Sequence, residues 1–290
     1  MAEQTIGVIG LGLMGEVLAG RLLAAGFGVL GYDIDPGKNA RLAARGVQVT
    51  GSPAEIAGCK MIVLAVFSTD QVEDVVEKTL LPSAGDGTIV ICTSTCNPDR
   101  IEALGERVTG TKLRFLETPV SGTSEQVRQG DGVGLIGGDR QAAAEASAVL
   151  DALFPRRFHI GKVGDGGRAK LAVNLILGLN RLALAEGLTF AERMGLDAKA
   201  FLGVAKGSAS QSQVMETKGP KMLKRNFEPE GRVKQTLKDV HMMLDQAAKL
   251  GQDLPALKVY ADVLEACVRA GEAERDNSII VEEIRRRRIS

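Results

Sequence analysis

Residues 5–15 read TIGVIGLGLMG: a short apolar run stops at Gly10, and glycine recurs at Gly12 and Gly15. A Gly-x-Gly-x-x-Gly run between a strand and a helix admits few folds. The first glycine takes a tight turn, the second lets backbone approach a pyrophosphate, and the third lets helix and strand pack closely. The helix N-terminus then faces the phosphates. Alone the spacing is weak. It gains weight from Asp33, which ends the next strand-like run, VLGYD, 18 residues after Gly15. A carboxylate there can accept both ribose hydroxyls of NAD and repels the extra phosphate of NADP, and the neighbouring Ile34 supplies no arginine. NAD is therefore the expected cofactor, with NADP disfavoured. The other reading of Asp33 is an ordinary turn residue ahead of DPGK.

The pattern beyond this turn alternates. EVLAGRLLAAG reads as a helix closed by Gly26, and KNARLAARG as one ending at Gly46. VQVT (47–50) reads as a strand, and Ser52 with Pro53 as the cap and first residue of a short helix. MIVLAV (61–66) and TIVICT (88–93) are continuous apolar runs, as strands buried on both faces should be. LRFLE (113–117), GVGLIG (132–137) and RFHI (157–160) extend the series. Strands alternating with helices predict an α/β fold with a Rossmann-type, doubly wound parallel sheet. Past about residue 165 only helical periodicity remains, opening with a helix over about 167–193 that would span roughly 40 Å. The expected organisation is an NAD-binding Rossmann domain over 1–163 and an all-helical domain over 164–290 that contributes to a substrate cleft and to oligomerisation.

Composition narrows the function classes. Thirty-six basic residues balance thirty-six acidic ones, and aromatics are 3% of the chain, so neither nucleic acid nor a membrane surface is an expected partner. The longest apolar run, 171–191, contains Asn174, Asn180, Arg181 and Glu186 and makes a poor membrane span. Cys59, Cys92, Cys96 and Cys267 form no CxxC pair, and His159 and His241 are the only histidines, so no metal is expected. The terminal RRRR (285–288) reads as a solvated helix end rather than a localisation signal. MAEQ carries no basic leader, and a cytoplasmic location is expected.

In GDGGRAKLAVN (164–174), Lys170 and Asn174 stand four apart, on one helix face. For this pair alone, a lysine stem lying along apolar surface beside a core amide is a competing reading. Four stretches in order, GVIGLGLMG (7–15), ETPVSGTSE (117–125), GDGGRAKLAVN and LKDVHMMLDQA (237–247), resemble the β-hydroxyacid dehydrogenase family, which includes 3-hydroxyisobutyrate dehydrogenase and tartronate semialdehyde reductase. The resemblance implies roles. Lys170 is the general acid/base, Asn174 orients substrate, and Ser121, Gly122 and Thr123 form the substrate loop. Gly10, Leu11, Gly12, Leu13, Met14, Gly15, Asp33, Val66, Thr95 and Lys238 serve the cofactor, Thr95 lying in TSTCNPD (93–99) beside the nicotinamide ribose. Thr123 departs from the family's second glycine, so a stiffer, narrower loop is expected; Val173 departs from its first asparagine. A lysine near a helix N-terminus and buried in a cleft is disfavoured as a cation, which suits proton transfer. The implied activity is NAD-dependent, reversible oxidation of a small β-hydroxyacid to its semialdehyde or ketoacid, in a homodimer or homotetramer. The alternatives are an imine reductase-like or phosphogluconate-type enzyme, or a non-catalytic dinucleotide-binding relative; Lys170 weighs against the first and the last.

Overall fold

The computed structural model describes residues 4–288. Contacts divide the chain into two compact units between Lys170 and Leu171. The division falls inside a helix, Asp165–Arg193, rather than ahead of Gly164. The physical reason is that the first turn of this helix is tied to strands of the first unit, as described below.

The first unit is a Rossmann-type α/β sheet. Six strands run parallel in the order β3-β2-β1-β4-β5-β6: β1 (Thr5–Ile9), β2 (Gly28–Tyr32), β3 (Gln48–Val49), β4 (Met61–Leu64), β5 (Thr88–Cys92) and β6 (Leu113–Glu117). Alternate side chains enter different cores. Val63, Ile89, Ile91 and Leu116 join one apolar cluster, and Ile62, Leu64, Val90, Cys92 and Phe115 join the other. Burial on both faces is why these strands read as continuous apolar runs.

Beyond β6 the sheet is mixed. β7 (Val120–Ser121), β8 (Val133–Gly138) and β9 (Arg156–Gly161) complete it, and β8 runs antiparallel to β6 and β7. The pairs Leu116↔Gly138, Glu117↔Gly137, Val120↔Gly134 and Ser121↔Val133 keep one register, so β6 and β7 are a single line broken at Thr118–Pro119. Pro119 has no N–H to give, yet its carbonyl still accepts the Leu135 N–H at 3.0 Å. The return to β8 carries only the short helix Ser124–Arg128, too little chain for a crossover to a parallel neighbour. Strand direction leaves no trace in hydrophobic periodicity, which is why a fully parallel sheet was the expectation.

The second unit is helical; its one isolated bridge among the described residues joins Arg232 and Asp276. Leu182, Leu184, Ala185 and Leu188 of the long helix pack with Tyr260, Val263 and Leu264. Gly178 makes room for the Tyr260 ring, and buried Arg181 donates to the Tyr260 hydroxyl at 2.6 Å. Lys218 and Asp276 form a buried ion pair at 2.9 Å; Asp276 also accepts from Ser278, Glu230 and Gly231. Such satisfaction is what a buried pair requires. Arg285, Arg286 and Arg287 of the terminal basic run bond Glu192, Glu272 and Asp262.

The tie across the start of the long helix is Glu117, the last residue of β6 and fully buried. Its Oε2 accepts the Gly164 N–H at 2.8 Å, while Oε1 faces the Gly167 backbone without a well-formed hydrogen bond. A Cβ on Gly167 would lie 2.5 Å from Oε1, one on Gly166 2.5 Å from the Leu135 carbonyl, and one on Gly137 2.5 Å from the Lys162 carbonyl. The glycine-rich start of the helix is therefore the wall of a carboxyl pocket. Burial pushes this carboxyl up from 4.5 to about 7, against the pull of the Gly164 and Gly167 amides and Arg168. The folded state then keeps a proton that the unfolded chain gives up, so stability is full below about 4.5 and falls as pH rises through about 7. The Glu117→Gln variant should lack that loss, about 3 kcal/mol across the window. Urea unfolding of both proteins at pH 5 and pH 8 checks it; identical pH slopes would mean that Glu117 does not titrate there.

Candidate active site

The glycine turn follows from close approach of backbone. Gly10 has φ +93°, and a Cβ there would lie 2.5 Å from the Ala65 carbonyl. A Cβ on Gly15 would strike the Gly10 carbonyl. Gly12, in contrast, faces open space. It is also the N-cap of helix Leu13–Ala24 and makes no side-chain cap bond, so it leaves the first-turn N–H groups to an incoming anion. Leu11 is fully buried, and Leu13 and Met14 are half-buried on the same turn. These residues fit a dinucleotide pyrophosphate.

The other candidate cofactor residues stand past the carboxyl ends of neighbouring parallel strands: Asp33 after β2, Val66 after β4 and Thr95 after β5. Open α/β sheets bind ligands at that edge. The Ser94 hydroxyl donates to the Val66 carbonyl at 2.7 Å and ties two of these loops together. Asp33 is buried, and its carboxylate is organised from several sides. It accepts the Leu11 N–H at 2.7 Å and the Asp35 N–H at 2.9 Å. Lys38 lies 3.1 Å away as an ion pair. Ile34 beside it is 80% exposed, and the cation next to the carboxylate comes instead from Lys38. Its signal was faint, since a lysine in the first turn of a helix opening at Pro36 reads as a solvated residue.

The candidate substrate loop leaves β7. Ser121 is half-buried, and Gly122 has φ +140°, where a side chain is strained. Thr123 is the N-cap of helix Ser124–Arg128. Its Oγ1 accepts the Gln126 N–H at 3.2 Å, while Gln126 Oε1 accepts the Thr123 N–H at 2.9 Å. This capping box stiffens the loop by a route that its departure from glycine alone did not disclose.

Lys170 stands one turn into the long helix and is 6% exposed. Asn174, one turn further on, donates its amide to Asp239 at 3.1 Å. Lys238 reaches the same residue, its Nζ 3.4 Å from Asp239 Oδ1. Asp239 is thus the shared partner of two candidate residues. Its buried position was invisible from sequence, because Asn174 and Asp239 are 65 residues apart. Cys59, Cys92, Cys96 and Cys267 are buried and free. Among the described residues no cluster of His, Cys, Asp or Glu is placed to hold a metal ion.

Two family models cover the chain. Residues 5–161 match the NAD-binding domain of 6-phosphogluconate dehydrogenase, and residues 164–284 match the "NAD-binding of NADP-dependent 3-hydroxyisobutyrate dehydrogenase" model. An L-threonate dehydrogenase of Cupriavidus necator is 31% identical, over 96% of this chain and 95% of its own. A glyoxylate/succinic semialdehyde reductase of Arabidopsis thaliana is 29% identical, over 97% and 98%. The crystal structure of a 3-hydroxyisobutyrate dehydrogenase from Salmonella typhimurium superposes with a TM-score of 0.88, at 26% identity, over 97% of this chain and 100% of that one. The chain belongs to the β-hydroxyacid dehydrogenase family of oxidoreductases, which work with a nicotinamide dinucleotide.

Proposed function

We propose that this protein catalyses the NAD-dependent, reversible oxidation of a small β-hydroxyacid to its semialdehyde or ketoacid, with Lys170 as general acid/base. The observation that carries the reading is Lys170 itself: a lysine 6% exposed, near the start of a helix, with an asparagine one turn on. The names of the relatives point to short hydroxyacids and semialdehydes as the substrate pool. Gly10, Gly12, Gly15 and Asp33 would hold the dinucleotide, whose nicotinamide would supply hydride exchange with the carbinol carbon. Lys170 Nζ takes the hydroxyl proton in oxidation and returns it in reduction. Asp239 holds one amide hydrogen of Asn174 and so sets which way that amide faces. Asn174 keeps its Oδ1 and second N–H for substrate. The Ser121 hydroxyl and the Gly122 N–H hold the substrate carboxylate, and the capped Thr123 limits its bulk.

NAD is the proposed preference, because Asp33 offers ribose hydroxyls a fixed carboxylate. Lys38 sets how wide the margin is, since its ammonium beside Asp33 offsets part of the repulsion of a 2′-phosphate. Measured kcat/KM should favour NAD over NADP, and Lys38→Met should widen the ratio. Faster turnover with NADP in the unmodified protein would refute the assignment.

We further propose a cytoplasmic homodimer or homotetramer. Ile176, Ala183 and Phe190 recur at seven-residue intervals on the exposed side of the long helix, with exposed Ala172 one turn before Ile176. Such a stripe supports packing of this helix against a second copy. The free, buried thiols agree with a reducing compartment. Sedimentation velocity should find the unmodified protein assembled and Phe190→Asp with Ile176→Asp dissociated; a monomeric unmodified protein would refute the seam.

The catalytic assignment is tested with a panel of threonate, 3-hydroxyisobutyrate, glycerate and 4-hydroxybutyrate, each read by absorbance of the reduced cofactor. Lys170→Met keeps the stem and removes the ammonium. It should bind NAD normally while kcat falls on the order of 10²–10⁴-fold. A variant that binds NAD and keeps its turnover would show that Lys170 transfers no proton.

A further inference from the structure

Glu117 has no part in the chemistry proposed for substrate or cofactor, yet it is fully buried at the end of β6. Its Oε1 faces the Gly167 backbone without a well-formed hydrogen bond. Gly137, Gly166 and Gly167 all lack the side chain that would crowd its pocket. It stands between two candidate site elements. Four residues after it in the same strand line comes Ser121, and its Oε2 holds Gly164, from which the helix runs to Lys170 in under two turns. An acid kept in a strand end only for stability is better replaced by an apolar residue, because burying an unpaired charge is costly.

We propose that Glu117 is a positioning residue: its carboxylate grips the Gly164–Gly167 backbone, fixes where Lys170 stands with respect to the Ser121–Thr123 loop, and tightens its grip as it ionises. The role in catalysis rests on the reaction proposed above; the grip itself does not. An ionised carboxylate at a helix N-terminus takes backbone N–H groups more strongly than a carboxylic acid does. Burial brings that ionisation to about 7, within reach of working pH. The groups facing Glu117 have partners of their own. Arg168 stays a cation between Asp165 and Glu102. Asp165 is already bonded to Arg168 and to the Lys162 N–H. Cys92, opposite on β5, is kept a thiol by its hydrogen bond to Cys96 and by burial.

Two variants probe the grip. Glu117→Gln preserves volume and removes ionisation. Gly167→Ala pushes a methyl against Oε1, although alanine is the better helix former. The first readout needs no turnover: pulse acetylation of the lysines across pH 6–9, with Lys170 modification quantified by mass spectrometry against the exposed lysines. The Lys170 curve of the unmodified protein should carry a step near neutral pH that is absent in Glu117→Gln. In Gly167→Ala the labelling rate should change severalfold at all pH values. The second readout is kcat, expected to fall roughly 10- to 100-fold in Gly167→Ala with NAD affinity kept, and to lose its neutral-pH limb in Glu117→Gln. Superimposable Lys170 labelling curves in all three proteins would overturn the proposal. A protein that turns over none of the panel, yet shows the labelling differences, would sink the reaction and leave the positioning role standing.

Discussion

A carboxyl group removed from water needs donors, and the donors available to Glu117 are backbone amides at the start of a helix. That constraint shapes much of the first unit. Glycine is required at 137, 166 and 167 because carboxylate or carbonyl oxygens stand where side chains would be. The division between units falls at Lys170, since the turn ahead of it belongs mechanically to the sheet. The hairpin β6–β8 is anchored at the same point, where Glu117 pairs with Gly137. Removing the donors would leave an uncompensated acid in a core, a change that no neighbouring side chain can relax away from.

The nucleotide end of the sheet rests on a second carboxylate with a different logic. Asp33 is held from behind by the Leu11 and Asp35 amides, which no ligand can replace without unmaking the turn. Among the described residues Lys38 is the one side chain bonded to the carboxylate itself, and it is a third exposed, so it can swing away. Asp33 is thus preorganised to accept hydroxyls in place of an ammonium, and on the proposed reading the cost of binding is the breaking of one half-solvated ion pair rather than the ordering of a loop.

Much of this was legible in the sequence, and the rest was hidden for identifiable reasons. Gly10 and Gly15 are legible because close backbone approach is a local demand that only glycine meets, and Gly12 because it leaves open space at the helix N-terminus. The central strands β4 and β5 are legible because burial on both faces leaves unbroken apolar runs. Ser52 and Pro53 were read as cap and first helical residue, and Ser52 does accept the Ala54 N–H. The antiparallel β8 was not legible, since periodicity records which face a residue takes and not which way a strand runs. The burial of Glu117 was not legible, because an acid at the end of a strand reads as the place where the chain returns to water. Asp239 and Lys38 were missed for a related reason: what matters about each is a partner side chain that spacing does not reveal.

The long helix Asp165–Arg193 explains why a lysine and an amide can interrupt an apolar face at all. Its first turn is immobilised by Glu117, and its later turns pack around Leu184, Ala185 and Leu188 in the helical core. A rod fixed at both ends can hold polar side chains between those ends without fraying, because the cost of burying them is not relieved by unwinding a terminus. Lys170 and Asn174 occupy that stretch. Asn174 is given a partner in Asp239, which keeps its amide from being an unsatisfied group and at the same time fixes its orientation.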